Sequence, residues 1–241
     1  MTFDPQFDYI HRNVEAMCNA LEKEIAKAGS TQPVDLEIAI KTQSAQAALA
    51  AGQALEACGR PALLAHNRVQ EAQVTTPFLR AAQLPSFTSV LIGPLQKNKI
   101  NHALRVFNQF ETLDSLELAR AVSQRVAGEP LQVMLQVNTS REAAKSGFLP
   151  EGAVEAAAQI AQLPGLEVIG FMTIGAFVSD QRVVAKSFAD LRLIRDEAVQ
   201  LPGLSQAVEL SMGMSGDYPL AIAEGATRIR VGTAIFGSRL S

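Results

Sequence analysis

Lys41 ends an apolar, alternating stretch, Val34-Asp-Leu-Glu-Ile-Ala-Ile. An amine walled by apolar side chains is held in its neutral form, and a neutral amine attacks carbonyl carbon. The same placement also describes a strand-end lysine that snorkels to solvent. A second cluster, Ser211-Met-Gly-Met-Ser-Gly-Asp217, sets two hydroxyls and two glycines before a short helix. Backbone N–H groups and hydroxyls in such a turn can cradle an anion, although an ordinary Gly/Ser turn with Asp217 capping the helix reads the same way. A third, Arg228-Ile-Arg-Val-Gly-Thr-Ala-Ile-Phe-Gly237, alternates so that Arg228 and Arg230 share one strand face. On a covered strand at least one of these guanidinium groups needs a polar task inside, or an acidic partner. Gly232 would permit close backbone approach to a ligand, and Thr233 adds a hydroxyl. The polar run Asn138 to Phe148 carries a further amine, Lys145, which by itself reads first as a solvated loop charge.

These groups need elements to position them, and the hydrophobic periodicity supplies a regular series. Apolar residues at helical spacing (Ile10, Val14, Met17, Leu21, Ile25) predict an N-terminal helix from Pro5 to Ala28, stopped at Gly29. Strands are expected over 34–40, 61–65, 87–92, 109–113, 131–137, 166–171, 207–210 and 228–231. Between them lie helices over 44–58, 67–83, 96–106, 115–127, 151–162, 180–200 and 219–224, with Ser44, Asn67 and Ser115 as N-caps. Strands that alternate with helices pair in parallel. Eight such units in 241 residues predict an α/β fold: a single (β/α)8 TIM-type barrel over residues 1–241 with an extra N-terminal helix. An open doubly wound sheet would want glycines after the first strand, where this chain has Lys41-Thr-Gln-Ser. In a barrel, chemistry sits at the C-terminal ends of the strands, with phosphate commonly bound after strands seven and eight. All four clusters fall at that end.

Composition narrows the partners. With 21 Lys+Arg against 24 Asp+Glu the net charge is −3, which leaves no basic footprint for nucleic acid or an anionic membrane. No apolar run is long enough to span a membrane, and the acidic start, Met1-Thr-Phe-Asp, lacks a signal-peptide core. Two cysteines do not suggest a disulfide framework, and three histidines show no metal-ligand spacing. The expectation is a cytoplasmic monomer.

An amine at strand one facing an anion cradle at strands seven and eight suits an aldehyde that also bears a phosphate. Pyridoxal 5′-phosphate has both handles, and a sugar phosphate held as a lysine imine fits nearly as well. At this point the chain resembles a known family. Ile-Gly-Pro-Leu-Gln-Lys-Asn-Lys (92–99), Val-Asn-Thr-Ser-Arg-Glu-Ala-Ala-Lys-Ser-Gly-Phe (137–148), Gly-Phe-Met-Thr-Ile (170–174), Leu-Ser-Met-Gly-Met-Ser-Gly-Asp (210–217) and the segment 228–237 run in the order found in the pyridoxal-phosphate homeostasis protein family, which is similar to the barrel domain of alanine racemase. The resemblance implies that Lys41 carries the imine to pyridoxal 5′-phosphate. It implies that Met214 backbone, Ser215, Gly232 and Thr233 hold the phosphate, that Arg230 faces the pyridine nitrogen, and that Ser211, Met172 and Asn67 line the ring. An arginine cannot surrender a proton there, so the ring would be a weaker electron sink.

The front half departs from the family pattern. Lys41 is followed by Thr-Gln-Ser rather than Thr-Lys-Pro, and Leu64-Ala-His-Asn-Arg68 keeps only the asparagine of Phe-Gly-Glu-Asn-Tyr. Alanine racemase takes a second base from a tyrosine of an additional β-domain. This chain ends at Ser241 soon after strand eight, and its tyrosines are Tyr9 and Tyr218. The expected role is therefore a non-catalytic carrier that buffers or delivers pyridoxal 5′-phosphate, with cofactor-requiring apo-enzymes as recipients. The alternatives are a weak amino-acid racemase using Lys41 and Lys145, or a barrel enzyme acting on sugar phosphates without the vitamin.

Overall fold

The structure is a computed structural model and describes residues 4–237. The expectations for Met1–Phe3 and for the chain end at Ser241 lie outside those residues. Eight parallel strands close on themselves in sequence order: β1 (Asp35–Ala39), β2 (Leu63–His66), β3 (Thr88–Leu91), β4 (Gln109–Leu113), β5 (Leu131–Gln136), β6 (Leu166–Met172), β7 (Glu209–Met214) and β8 (Arg228–Val231). Closure is made by β8 against β1, with Leu36 opposite Ile229 and Ile38 opposite Val231. The helices in the same order are α1 (Asp8–Lys27), α2 (Ala45–Ala57), α3 (Val69–Ala81), α4 (Ile100–Val106), α5 (Leu116–Ser123), α6 (Pro150–Ile160), α7 (Gln181–Ala198), α8 (Tyr218–Ala223) and α9 (Thr233–Phe236). The predicted (β/α)8 barrel with its extra N-terminal helix is the fold found.

Local sequence explains the joins. Ser44 and Ser115 accept from Ala47 N and Leu118 N, as N-caps should. Asn67 does not cap α3: the N-cap is Arg68, in extended conformation and without a side-chain cap bond. α1 buries Ile10, Val14, Met17, Cys18 and Leu21 on one stripe, and Asn13 Nδ2 donates to Ile235 O at 2.8 Å. It thereby ties the entrance of the chain to the segment after β8. Cys18 and Cys58 are free thiols; burial, then the neighbouring Cys58, pushes the Cys18 thiol up to about 12.

β7 is the main correction to the expected boundaries. It runs to Met214 rather than stopping at Leu210. Gly213 has φ +89°, and its pairing register with β8 shifts between Ser211 and Met214. A Cβ on Gly213 would lie 2.6 Å from Ala221 Cβ, so only glycine lets α8 pack this close. The Ser-Met-Gly-Met stretch reads as a turn but is a kinked strand end.

Candidate functional site

Alternation along β1 puts Asp35, Glu37, Ala39 and then Lys41 on the barrel-facing side, while Leu36, Ile38 and Ile40 pack outward against helices. The ladder continues past the strand, since Ile40 N donates to Ala65 O at 2.9 Å. The chain then turns at Thr42, whose φ is +64°. Lys41 is half-buried at this rim. Because β8 pairs with β1, the Gly232-Thr233 turn stands beside it, and an added Cβ on Gly232 would lie 3.3 Å from Ala39 O. The turn after β7 is next around the ring. Lys41 and the two turns thus occupy three consecutive strand ends, β7, β8 and β1.

Below this rim the barrel interior is polar. Arg228 Nη1 bonds Glu111 Oε1 at 2.5 Å and lies 3.7 Å from Glu37 Oε2. Ser211 Oγ donates to Glu111 Oε2 at 2.6 Å and accepts from Arg230 Nη1 at 2.7 Å. Arg230 Nη2 donates to Thr173 O at 2.7 Å. All five side chains are buried. Both arginines therefore have interior work, and they divide it. Arg228 takes the acidic partners. Arg230 has no carboxylate within 4.0 Å among the described residues; it is held by Ser211 and the Thr173 carbonyl, and feels the Glu37 carboxyl opposite it only at longer range.

Glu37 and Glu111 were not singled out from the sequence. Burial, and then the charge of Glu111, holds the Glu37 carboxyl well above its ordinary range, and among the described residues neither of its oxygens makes a geometrically regular hydrogen bond. Burial alone would lower the Arg228 pKa, but Glu111 and Glu37 outweigh it and keep the guanidinium protonated.

The other predicted residues divide into two groups. Met172 ends β6, is buried, and pairs in register with Ser211, so it belongs with Ser211 and Arg230. Met214 and Ser215 are exposed at the end of β7. The Met214 N–H is taken by Asp217 Oδ1 at 2.6 Å: Asp217 turns back onto the strand instead of capping α8. Asn67 lies with Lys41 on the opposite flank, where both line a cavity of about 980 Å³ over the ends of β1, β2 and β3. Lys145 is not a loose loop charge, since its Nζ bonds Glu142 Oε1 at 2.7 Å and Gly175 O at 3.0 Å. Its loop is stitched by Asn138 Nδ2 to Glu142 O and Lys145 O, and by Thr139 to Thr173. No group of metal-ligating side chains occurs among the described residues. Nor is any helix among them long and apolar enough to cross a membrane.

His66 ends β2 beside this rim. It is buried against Phe107 at 5.9 Å, neither ring nitrogen has a partner among the described residues, and burial pushes its pKa down to about 4 from 6.5. A depressed histidine stabilises the fold while both states are neutral, and that stabilisation is lost as acid protonates the unfolded chain first. Stability should therefore fall by up to about 3 kcal/mol between pH 6.5 and 4 from this residue. Urea midpoints of wild type and His66→Leu across that window measure it. The variant should show the smaller acid loss, and equal losses would contradict the assignment.

The closed barrel, with Lys41 at the rim of β1 and Arg230 buried on β8, is of the alanine-racemase type. The family model described as alanine racemase, N-terminal domain, matches residues 18–240. More narrowly, the chain belongs to the pyridoxal phosphate homeostasis protein family. It is 36% identical over 236 residues to the Vibrio alginolyticus protein of that name, covering 95% of this chain and 97% of that one. Among solved structures, an unknown protein from Bifidobacterium adolescentis superposes with a TM-score of 0.90 at 37% identity, covering 98% of both chains. PipY of Synechococcus elongatus with PLP bound gives 0.73 at 33% identity, over 89% of this chain and 99% of that one.

Proposed function

We propose that this chain is a pyridoxal 5′-phosphate-binding protein of cofactor homeostasis, acting as one barrel domain over residues 1–241, as a cytoplasmic monomer, and handing the cofactor to apo-enzymes that require it. The carrying observation is the β8–β1 closure, which sets Lys41 beside the Gly232-Thr233 turn. When bound, the group supplies an aldehyde that condenses reversibly with an amine. The residues fit it. Lys41 offers the amine, and Met214 backbone, Ser215, Gly232 and Thr233 offer the anion donors. Arg230, already oriented by Ser211 and the Thr173 carbonyl, presents a buried cation with no carboxylate in direct contact among the described residues. Met172, Ser211 and Asn67 supply walls. Arg230 cannot give a proton to a ring nitrogen, which favours holding over electron withdrawal. Lys145, held by Glu142 and Gly175, is poorly placed to serve as a second base.

Titration of apo-protein with pyridoxal 5′-phosphate tests this reading. A visible absorbance band saturating near one equivalent is expected, with no loss of optical activity from L-alanine. A protein that stays colourless contradicts it and favours sugar phosphates.

Asp217 adds a quantitative check. Its carboxyl oxygen holds the N–H assigned to the phosphate. Asp217→Asn keeps an acceptor but removes a charge from beside a dianion, so affinity should rise about threefold to tenfold. A weaker complex, read by the same titration, would place the phosphate elsewhere.

A further inference from the structure

The cavity of about 980 Å³ extends past Lys41, away from the β7 and β8 turns, and its walls hold four charged side chains: Lys41, Arg68, Glu71 and Lys99. None of the four makes a side-chain hydrogen bond or ion pair within the described residues. Nearby rim charges are paired, as in Lys97 with Glu117, Arg141 with Glu151 and Lys145 with Glu142. Two wall acceptors, Glu71 Oε2 and Asn67 Oδ1, are buried without a donor. Such atoms are costly unless something supplies hydrogen. The wall itself is fixed by backbone packing, for a Cβ on Gly93 would lie 2.0 Å from Asn67 O.

We propose that this cavity is a second ligand subsite, taking a small dicarboxylate that bears an ammonium group: an acidic α-amino acid. The charge count rests on the reading above, in which the cofactor engages Lys41. Arg68, Lys99 and Glu71 then remain, with a net charge of +1 that a ligand of net charge −1 neutralises. Arg68 offers a planar fork for one carboxylate and Lys99 a point charge for the other. The ammonium donates to Glu71 Oε2 and Asn67 Oδ1. A dicarboxylate without the amine sets an anion against Glu71, and a neutral amino acid leaves one cation unmatched. Inorganic phosphate satisfies the cations but supplies less hydrogen to the two acceptors.

The test loads the protein with pyridoxal 5′-phosphate and reduces it with borohydride, so that an added amine cannot exchange at Lys41. Calorimetric titrations follow at low salt with L-glutamate, L-aspartate, L-glutamine, 2-oxoglutarate and inorganic phosphate. At least one acidic amino acid should bind saturably, about tenfold or more tighter than the other three probes. Arg68→Gln and Glu71→Gln should each weaken it by a similar factor while keeping the pyridoxyl adduct and the thermal midpoint. No saturable binding, equal or tighter binding of 2-oxoglutarate or phosphate, or indifference to both variants would overturn the subsite. A protein that takes up no pyridoxal 5′-phosphate overturns the earlier reading instead. The unloaded protein then decides the subsite by the same titration, with saturable binding of an acidic amino acid supporting it and its absence overturning it.

Discussion

Arg228→Met should destabilise the protein by about 3–5 kcal/mol, the usual cost of removing one partner from a buried ion pair. The variant fills much of the same space, so the loss is electrostatic rather than a cavity. Glu111 Oε1 loses its 2.5 Å partner, and Glu37 loses the only cation within 4.0 Å of it among the described residues. Both residues are fully buried. Urea unfolding at pH 7 measures the effect. Adding Glu37→Gln and Glu111→Gln to the variant should restore a large part of the loss, because amides carry no charge to strand. Glu37 also gives the effect a pH sign. Its folded pKa is raised, so its contribution is complete below the ordinary carboxyl value of 4.5 and is lost as pH rises through the folded value. Arg228→Met should accordingly be less damaging in mild acid than at neutrality. A loss under 1 kcal/mol at pH 7 would mean that the interior network is not what holds this end of the barrel.

Lys41→Ala should behave in the opposite way, leaving the fold intact and removing the function. Lys41 is half-buried and no hydrogen bond or ion pair ties it to the rest of the described chain. A surface-like truncation of this kind moves stability by roughly 0.5 kcal/mol. Binding loses its covalent component, and affinity for pyridoxal 5′-phosphate should fall at least about 100-fold, equivalent to roughly 2.8 kcal/mol. The visible band should vanish, and residual non-covalent binding should still respond to Asp217→Asn. Unchanged affinity would assign the amine to another lysine.

The barrel was legible because its strands are short apolar runs separated by amphipathic helices, with real N-caps at Ser44 and Ser115. Alternation correctly put Arg228 and Arg230 on one strand face, and both are buried. It does not reveal how two like charges are accommodated, since the compensation comes from Glu37 and Glu111 on β1 and β4, far apart in sequence. A glutamate in an alternating strand looks like a solvated face; only closure of the ring makes that face an interior. Two apolar-flanked acids on strands of a barrel that also buries arginine would have been the signal. The extent of β7 was hidden because a serine, two methionines and a glycine carry turn composition, while the φ of +89° at Gly213 serves a strand bend. Asn67 was misread as a cap because its side chain is of the right type; the helix starts one residue later, and the asparagine faces the cavity instead. The bond between Asp217 and Met214 N–H was equally invisible, as a capping aspartate and a strand-directed one share the same sequence.

Carrier function requires one particular amine to meet the aldehyde. Loading the purified protein with pyridoxal 5′-phosphate, reducing with borohydride and mapping the peptides identifies it. One pyridoxyl group on the peptide carrying Lys41 is the predicted result. Label on Lys99 or Lys145 with Lys41 unmodified, or no label at all, would contradict it.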